Sequence, residues 1–181
     1  MSSKILVLPG DGIGVEVADQ AIRVIEKLNE QGLNASYEKD LVGGASYDVN
    51  GEPLTNSVLE KAKNSDAVLL GAVGGSKWDD VERSKRPEAG LLGLRKELEL
   101  FANLRPALVF DALVSASTLK NEVVNNLDIM IVRELTGGVY FGQPRGIEDT
   151  PNGKKAIDTQ IYYDYEIDRI ARVAFLSLIH I

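Results

Sequence analysis

The sequence has no cysteine and only one histidine among its 181 residues. Without cysteine, neither a disulfide framework nor a thiolate metal site is possible. Long apolar runs are also missing, because the opening MSSKILVLPGDG holds only a five-residue apolar stretch and no later run reaches the length of a transmembrane helix. We therefore expect a cytoplasmic protein with no membrane partner.

Basic residues are fewer than acidic ones, with 20 Lys and Arg against 27 Asp and Glu and a net charge of −7. This balance argues against nucleic acid as a partner. A composition with 44% hydrophobic and 26% charged residues is typical of a globular chain that can build a core. The length allows one large domain or two small ones.

Strand and helix patterns alternate in the first half of the chain. Short apolar or β-favouring runs predict strands over residues 4–9, 35–41 and 67–73, the last of them buried on both faces. A helical pattern follows the first strand, and Thr55 is a candidate N-cap for a helix over residues 56–64. This alternation predicts a largely parallel α/β layer.

The glycine loop after the first strand does not have dinucleotide-binding spacing. Gly10, Gly12 and Gly14 read GxGxG, whereas the GxGxxG fingerprint would need its third glycine at Val15. The Rossmann interpretation therefore fails. We retain only the expectation that the backbone turns tightly here and approaches another segment closely.

Two arginines flank a helical pattern in EAGLLGLRKELELFANLR. The apolar spacing predicts a helix over residues 90–102, with Arg95 on the flank of its apolar stripe. Arg105 precedes Pro106, which favours an extended chain there. The two cations could bind one anionic ligand from different elements; alternatively, Arg95 pairs with Glu99 on a solvated face.

The second half combines an apolar run with a glycine-rich segment. LDIMIV at residues 127–132 predicts another strand buried on both faces, with Arg133 at its carboxyl end. TGGVYFGQPRG then suggests a strand or hairpin, with residues 155–163 as its partner. Helical spacing returns after Asp164, a possible cap.

Four segments together resemble one family. LPGDGIG, VGGSKW, PEAGLLGLRKELELFANLRPA and VRELTGGVYFGQPRG, in this order and at these separations, closely resemble the isopropylmalate dehydrogenases, and the resemblance runs from about Lys4 to Phe175. Val15 and Ser76 stand where the family usually has proline. These departures from the family pattern are small.

The resemblance implies a fold and a reaction. The fold would be the two-domain α/β fold of the isopropylmalate dehydrogenases, which is not a Rossmann fold and would be incomplete here. The reaction would be the NAD-dependent oxidative decarboxylation of 3-isopropylmalate, a small dicarboxylate, to 2-oxoisocaproate in leucine biosynthesis. The family also implies Mg²⁺ or Mn²⁺ as a cofactor and a homodimer when the chain is full length.

Site residues follow from the matching motifs. Arg95, Arg105 and Arg133 would bind the two substrate carboxylates, a task for which planar guanidinium groups are suited. Tyr140 would protonate the enolate left by decarboxylation, although by itself it could be an ordinary strand tyrosine with a solvated hydroxyl. Leu91 and Leu92 would form the pocket for the isopropyl branch and disfavour isocitrate, whose extra carboxylate they would leave unpaired.

The nicotinamide side of NAD would lie along a loop and not on a Rossmann fingerprint. The resemblance assigns this role to Gly75, Ser76, Lys77, Trp78 and Glu88. By position alone, the same loop could be a plain connection after a strand, with Trp78 serving only in packing.

The resemblance covers roughly the first half of the family enzyme, which is about twice as long as this chain. The catalytic lysine and the metal-binding aspartates are expected beyond residue 175, so we assign no metal ligand here. Residues 1–102 would form part of the first α/β domain, and 103–175 the start of the dimerisation domain with an arm-like hairpin. The apolar LSLIHI at 176–181 departs from the charged helix of the family, and we expect a non-native tail in which His180 has no role.

Two other functions stay open. The chain could belong to another β-decarboxylating dehydrogenase, for example one that acts on homoisocitrate or tartrate. It could instead be a non-catalytic module that binds carboxylates.

Overall fold

A computed structural model describes residues 2–179. Contacts divide the chain into two compact units, Met1–Leu98 and Glu99–Ile181, and each unit is described by itself below. The expected tail falls partly outside the described residues, since His180 and Ile181 are not among them. Among the helices of residues 2–179, none combines the length and apolar character that a membrane crossing requires.

The first unit is built on a three-stranded parallel sheet in the order β2-β1-β3. Its strands are β1 (Ser3–Gly10), β2 (Ala35–Lys39) and β3 (Ala67–Ala72). Its helices are α1 (Ile13–Asn29), α2 (Gly44–Asn50), α3 (Asn56–Lys63) and α4 (Pro87–Glu97). The parallel α/β layer predicted from the sequence is confirmed.

Strand β1 lies in the centre of the sheet and buries both of its faces. Leu6 and Leu8 pack into a cluster that includes Leu94 of α4, while Val7 points to the opposite face and packs against α1. This division follows from the two-residue period of a strand. β3 is an edge strand and is only half-buried, so the double burial predicted for residues 67–73 is wrong for this unit.

Two local predictions in this unit are confirmed. The Thr55 hydroxyl accepts a hydrogen bond from the Val58 N–H at 3.3 Å, which caps α3 as expected. In the glycine loop, Gly10 has a φ of 74°, and a Cβ on Gly14 would lie 2.3 Å from the Pro9 carbonyl oxygen. The backbone therefore turns tightly and approaches β1 closely, and only glycine fits at position 14.

Asp11 joins this loop to two other segments. The residue is 4% exposed, and its carboxylate accepts hydrogen bonds from the N–H groups of Gly44 at 2.8 Å, Ala45 at 2.7 Å and Gly74 at 2.9 Å. The first two N–H groups belong to the first turn of α2, which has no side-chain cap of its own. One buried side chain thus fixes the start of α2 and the loop after β3.

Helix α4 ends earlier than its apolar pattern predicts. The last helical residue is Glu97, and Glu99 has a φ of 52°, which turns the chain out of the helix. Phe101 and Ala102 were expected in the helix, but Ala102 begins a strand. Apolar spacing continues past the helix because Phe101 packs in the second unit, where its ring lies 4.6 Å from the Arg169 guanidinium.

The second unit contains two antiparallel strand pairs and two helices. Strand β4 (Ala102–Leu108) pairs with β5 (Asp128–Glu134), and β6 (Arg145–Thr150) pairs with β7 (Gly153–Asp158). A short helix, α5 (Asn121–Val124), precedes β5, and α6 (Asp164–Ile179) follows the hairpin.

Two predictions for the second unit are wrong. The residues Ile129, Met130 and Ile131 of β5 are 41–49% exposed, because β5 has one partner strand in this unit and is not covered on both faces. The VYF segment was expected in a strand, but Gly138–Tyr140 forms a 3-10 turn and the hairpin strands begin at Arg145.

Replacing Asp11 should destabilise the first unit. In Asp11→Ala, three backbone N–H groups that now bond the carboxylate would lose their acceptor, and we expect a loss on the order of 3 kcal/mol in the free energy of unfolding. Urea unfolding measures this change in the free energy of unfolding. Asp19→Ala removes a carboxylate that is 49% exposed and paired with Lys39, and should change the free energy by less than about 1 kcal/mol. Equal losses in the two variants would contradict the role of Asp11.

Candidate active site

Two of the predicted arginines lie on one face of the β4–β5 pair. Asn103 of β4 is directly opposite Arg133 of β5, and Arg105 is opposite Ile131. Since side chains alternate along a strand, Asn103, Arg105 and Arg133 share a face and the two arginines are diagonal neighbours. The Arg105 Nε donates a hydrogen bond of 2.6 Å to the Asn103 side-chain oxygen. This face can present two cations to one anionic ligand.

Arg133 contacts Tyr140 directly. One terminal nitrogen of its guanidinium donates a hydrogen bond of 2.8 Å to the Tyr140 hydroxyl, and the guanidinium carbon lies 5.5 Å from the centre of the phenol ring. Tyr140 is 43% exposed, so this residue is partly open to solvent. An accessible phenol beside a fixed cation is suited to proton transfer, because the cation stabilises the negative charge left on the oxygen.

The turn that carries Tyr140 is held by Glu134. Its carboxylate accepts hydrogen bonds from the N–H groups of Thr136 and Gly137, both at 2.7 Å, and from the Thr136 hydroxyl at 3.0 Å. Arg169 of α6 forms an ion pair with the same carboxylate. Burial alone would raise the pKa of Glu134, but these hydrogen bonds outweigh it and hold the pKa below its usual value. Glu134 is therefore a carboxylate at neutral pH.

In the first unit, helix α4 carries the other predicted substrate residues. Leu91, Leu92 and Arg95 are half-buried, while Leu94 is 3% exposed and belongs to the core. The helix thus buries one side through Leu94. The alternative partner, Glu99, lies two residues beyond the last helical residue, and its pairing with Arg95 stays a prediction.

Glu88 lies in the first turn of α4 and close to the loop after β3. A Cβ placed on Gly74 would be 2.8 Å from a Glu88 carboxylate oxygen, and Gly74 has a φ of 115°. Glu88 itself is exposed. An exposed carboxylate beside an open glycine backbone can accept hydrogen bonds from the hydroxyls of a ribose. Glu88 and this loop stay predicted to lie along the nicotinamide side of NAD.

The same loop is anchored by Trp78 and Asp48. The indole N–H of Trp78 donates a hydrogen bond of 3.1 Å to the Asp48 carboxylate, which also pairs with Lys77. The indole packs directly on the backbone of Gly44, since a Cβ there would lie 2.2 Å from the ring. Lys77 and Trp78 lower the pKa of Asp48 through these bonds. Trp78 thus helps to fix the loop, and its role toward the cofactor stays a prediction.

No group of three or more His, Asp or Glu side chains within residues 2–179 is arranged to hold a metal ion. The resemblance places the metal-binding aspartates beyond residue 175, so no chemical step is assigned to a metal within the described residues.

Comparison with known proteins identifies the family. The family model described as isocitrate/isopropylmalate dehydrogenase matches residues 4–179. The chain belongs to the isocitrate/isopropylmalate dehydrogenase family. Its mixed α/β structure is that of this family, as the sequence predicted, and it covers only part of the family fold.

Similar proteins carry names from the same family. A 3-isopropylmalate dehydrogenase of Chromohalobacter salexigens is 61% identical over 176 residues, which are 97% of this chain and 49% of the relative. One from Rhodopseudomonas palustris strain BisB18 is 62% identical over 174 residues, or 95% of this chain and 47% of the relative. The chain thus spans about half the length of these isopropylmalate dehydrogenases.

Solved structures of family members have a similar fold. A β-decarboxylating dehydrogenase from Thermococcus kodakarensis is 32% identical with a TM-score of 0.65, and the match covers 95% of this chain and 44% of that protein. An isocitrate dehydrogenase from Methylococcus capsulatus is 28% identical with a TM-score of 0.68, and the match covers 96% of this chain and 46% of that protein.

The structure distributes the predicted site residues between the two units. Arg105, Arg133 and Tyr140 lie in the second unit, where Arg133 and Tyr140 are in contact. Leu91, Leu92, Arg95, Glu88 and the segment 75–78 lie in the first. Their roles toward substrate and cofactor stay predictions.

Sequence reasoning missed four charged residues that position these elements: Asp11, Asp48, Glu134 and Arg169. One of them had a usable signal, since Glu134 stands at a strand end immediately before a loop whose N–H groups need an acceptor. Asp11, Asp48 and Arg169 had none, because their partners are about 30 or more residues away in sequence.

Trp78 is the only tryptophan, so its fluorescence reports on the loop. In Gly44→Ala the added Cβ would overlap the indole and displace it toward water, and we expect the emission maximum to shift to longer wavelength. Gly51→Ala at the other end of α2 is the matched control. It is strained by a φ of 75° but has no atom within 4 Å of the new Cβ, so its emission should stay unchanged. Unchanged emission in Gly44→Ala would refute the packing described.

Proposed function

We propose that this chain is part of an NAD-dependent enzyme that oxidises and decarboxylates 3-isopropylmalate to 2-oxoisocaproate in leucine biosynthesis. The observation that carries the proposal is the contact between Arg133 and Tyr140, which supplies a cation and a proton donor at one place. The relatives named 3-isopropylmalate dehydrogenase support the choice of substrate. The full-length product would act as a homodimer in the cytoplasm.

Three arginines would orient the substrate. A malate-type substrate carries two carboxylates, and a guanidinium can hold a carboxylate through two parallel hydrogen bonds. Charge-assisted bonds contribute about 1.5 to 3 kcal/mol each, which is ample for orientation. The shared face of Arg105 and Arg133 supports binding by these two, while the role of Arg95 rests on its motif.

Tyr140 would deliver the proton that completes the reaction. Bound NAD would supply the hydride acceptor for oxidation of the substrate hydroxyl, whose proton would pass to solvent. The resulting β-keto acid would lose carbon dioxide and leave an enolate. Proton transfer from the Tyr140 hydroxyl to the enolate carbon gives the product and a phenolate. The positive charge of Arg133, which already donates a hydrogen bond to that oxygen, would stabilise the phenolate until solvent returns the proton.

Substrate choice would depend on Leu91 and Leu92. An apolar pair favours the isopropyl branch and leaves the extra carboxylate of isocitrate desolvated and unpaired. Their half-buried positions on α4 agree with side chains that stay partly free to line a pocket.

A substrate panel tests this assignment. The full-length product of the gene, assayed with NAD and Mg²⁺, should give a kcat/KM for 3-isopropylmalate at least about 100-fold above those for isocitrate, homoisocitrate and tartrate. Leu92→Ala should lower the value for 3-isopropylmalate roughly 10- to 200-fold. Leu100→Ala changes an exposed leucine beyond the helix and should leave the kcat/KM for 3-isopropylmalate unchanged. Equal rates on isocitrate would refute the assignment, and binding without turnover of any substrate would favour a carboxylate-binding module.

Removing the phenol hydroxyl tests the proton donor. Tyr140→Phe should lower kcat on the order of 100- to 10,000-fold, because the enolate would lose its general acid. Tyr163→Phe changes a tyrosine in the same unit that is 58% exposed, and should retain normal kcat. Steady-state rates of the purified variants measure the effect. Full activity of Tyr140→Phe would rule out the role of Tyr140 as proton donor.

A further inference from the structure

Glu134 and Arg169 have no role in the reaction as proposed, yet they form an ion pair whose side chains are only 7% and 26% exposed. We propose that they are positioning residues that fix the Tyr140 hydroxyl against the Arg133 guanidinium. This inference rests on the proposed function, in which Tyr140 is the proton donor.

Glu134 connects the two elements that present the site. It follows Arg133 at the end of β5, so its own side chain points away from the arginine face and into the unit. There it accepts the N–H groups of Thr136 and Gly137, the Thr136 hydroxyl and the Arg169 guanidinium. A carboxylate has about four acceptor positions, so this one is saturated. It thereby ties the strand that carries Arg133 to the turn that carries Tyr140.

Arg169 is itself held in one orientation. Its guanidinium lies 4.6 Å from the centre of the Phe101 ring and 5.4 Å from that of Tyr165. It also contacts the Thr136 hydroxyl and lies 3.8 Å from the Glu166 carboxylate. The guanidinium has little freedom to move, because two ring faces attract it and two carboxylates pair with it. The end of β5 is thereby joined to α6.

The turn is closed from its other side as well. The Gly138 N–H donates to the Ile161 carbonyl oxygen at 2.8 Å. A Cβ on Gly137 would lie 2.8 Å from a Glu166 carboxylate oxygen and 3.0 Å from the Tyr162 ring. Glu166 is 5% exposed and accepts the Tyr163 N–H at 2.9 Å. The backbone from 136 to 138 therefore sits between two buried carboxylates, and weakening one of them should let the turn and Tyr140 move.

Movement of the phenol by about 1 Å would slow proton transfer strongly. Glu134→Gln keeps the size of the side chain but replaces one acceptor oxygen by an NH₂ group, which cannot accept from an N–H or pair with Arg169. The oxidation step does not use the phenol. The variant should therefore slow protonation specifically, and proton transfer should become more rate-limiting.

The test is made in the full-length product of the gene with 3-isopropylmalate and NAD. In Glu134→Gln and Arg169→Gln, kcat should fall by about 10- to 100-fold. The KM for NAD should stay within about twofold, and the solvent deuterium isotope effect on kcat should rise. A loss of folded enzyme alone would lower the apparent rate without changing the isotope effect.

Arg172→Gln is the matched control. It changes an arginine on the same helix whose ion pair with Asp168 is 74% and 62% exposed, and it should leave kcat and the isotope effect unchanged. The inference is overturned if Glu134→Gln and Arg169→Gln behave like Arg172→Gln while Tyr140→Phe is inactive. Full activity of Tyr140→Phe would instead refute the role of Tyr140 as proton donor in the proposed function.

A milder variant covers the case in which Glu134→Gln does not fold. Thr136→Val keeps the ion pair and removes only the hydroxyl that contacts both Glu134 and Arg169. It should give a smaller fall in kcat and again a raised isotope effect. If kcat and the isotope effect of Thr136→Val match those of the unmodified enzyme, the inference is also overturned.

Discussion

A buried carboxylate that accepts the backbone N–H groups of a loop is the interaction on which both units depend. Asp11 stands just after β1, and Glu134 is the last residue of β5. In each case the loop that must be held has N–H groups without a partner in a helix or strand. The carboxylate supplies several acceptors at once, so a loop that could take many conformations takes one.

These two interactions bear on function because the candidate site residues lie on the segments they hold. Asp11 fixes the loop that begins at Gly74, beside which lies Glu88, and it fixes the start of α2, on which Trp78 packs. Glu134 fixes the turn that ends at Tyr140. Reactive groups on exposed loops need such support, because positioning accounts for a large part of what an enzyme contributes. The carboxylates are buried and the groups they position are exposed.

Local pattern was sufficient to predict much of the first unit. Its three parallel strands, the Thr55 cap and the close approach at Gly14 all follow from short-range signals in the sequence. The end of α4 was not predictable in this way, because the apolar period continues through Phe101 although that ring packs with Arg169 in the second unit. Periodicity reports that a side chain is buried, but it does not report against which partner.

In the second unit, too, local sequence pattern did not predict which side chains are covered. LDIMIV has the composition of a strand covered on both faces, yet three of its side chains are largely exposed in the described unit. The VYF segment has β propensity, but the two preceding glycines and the bonds to Glu134 set it into a 3-10 turn. Motifs identified Arg105, Arg133 and Tyr140 as candidates, whereas the register that aligns the arginines emerged only from the structure.

A crystal structure of the full-length product with 3-isopropylmalate and NAD bound would test the central claim most directly. We expect the guanidinium groups of Arg95, Arg105 and Arg133 to contact the substrate carboxylates. We also expect the Tyr140 hydroxyl to lie within hydrogen-bond reach of the reacting part of the substrate, with Glu134 still bonded to the Gly137 N–H. A substrate bound away from Arg133 and Tyr140 would contradict it.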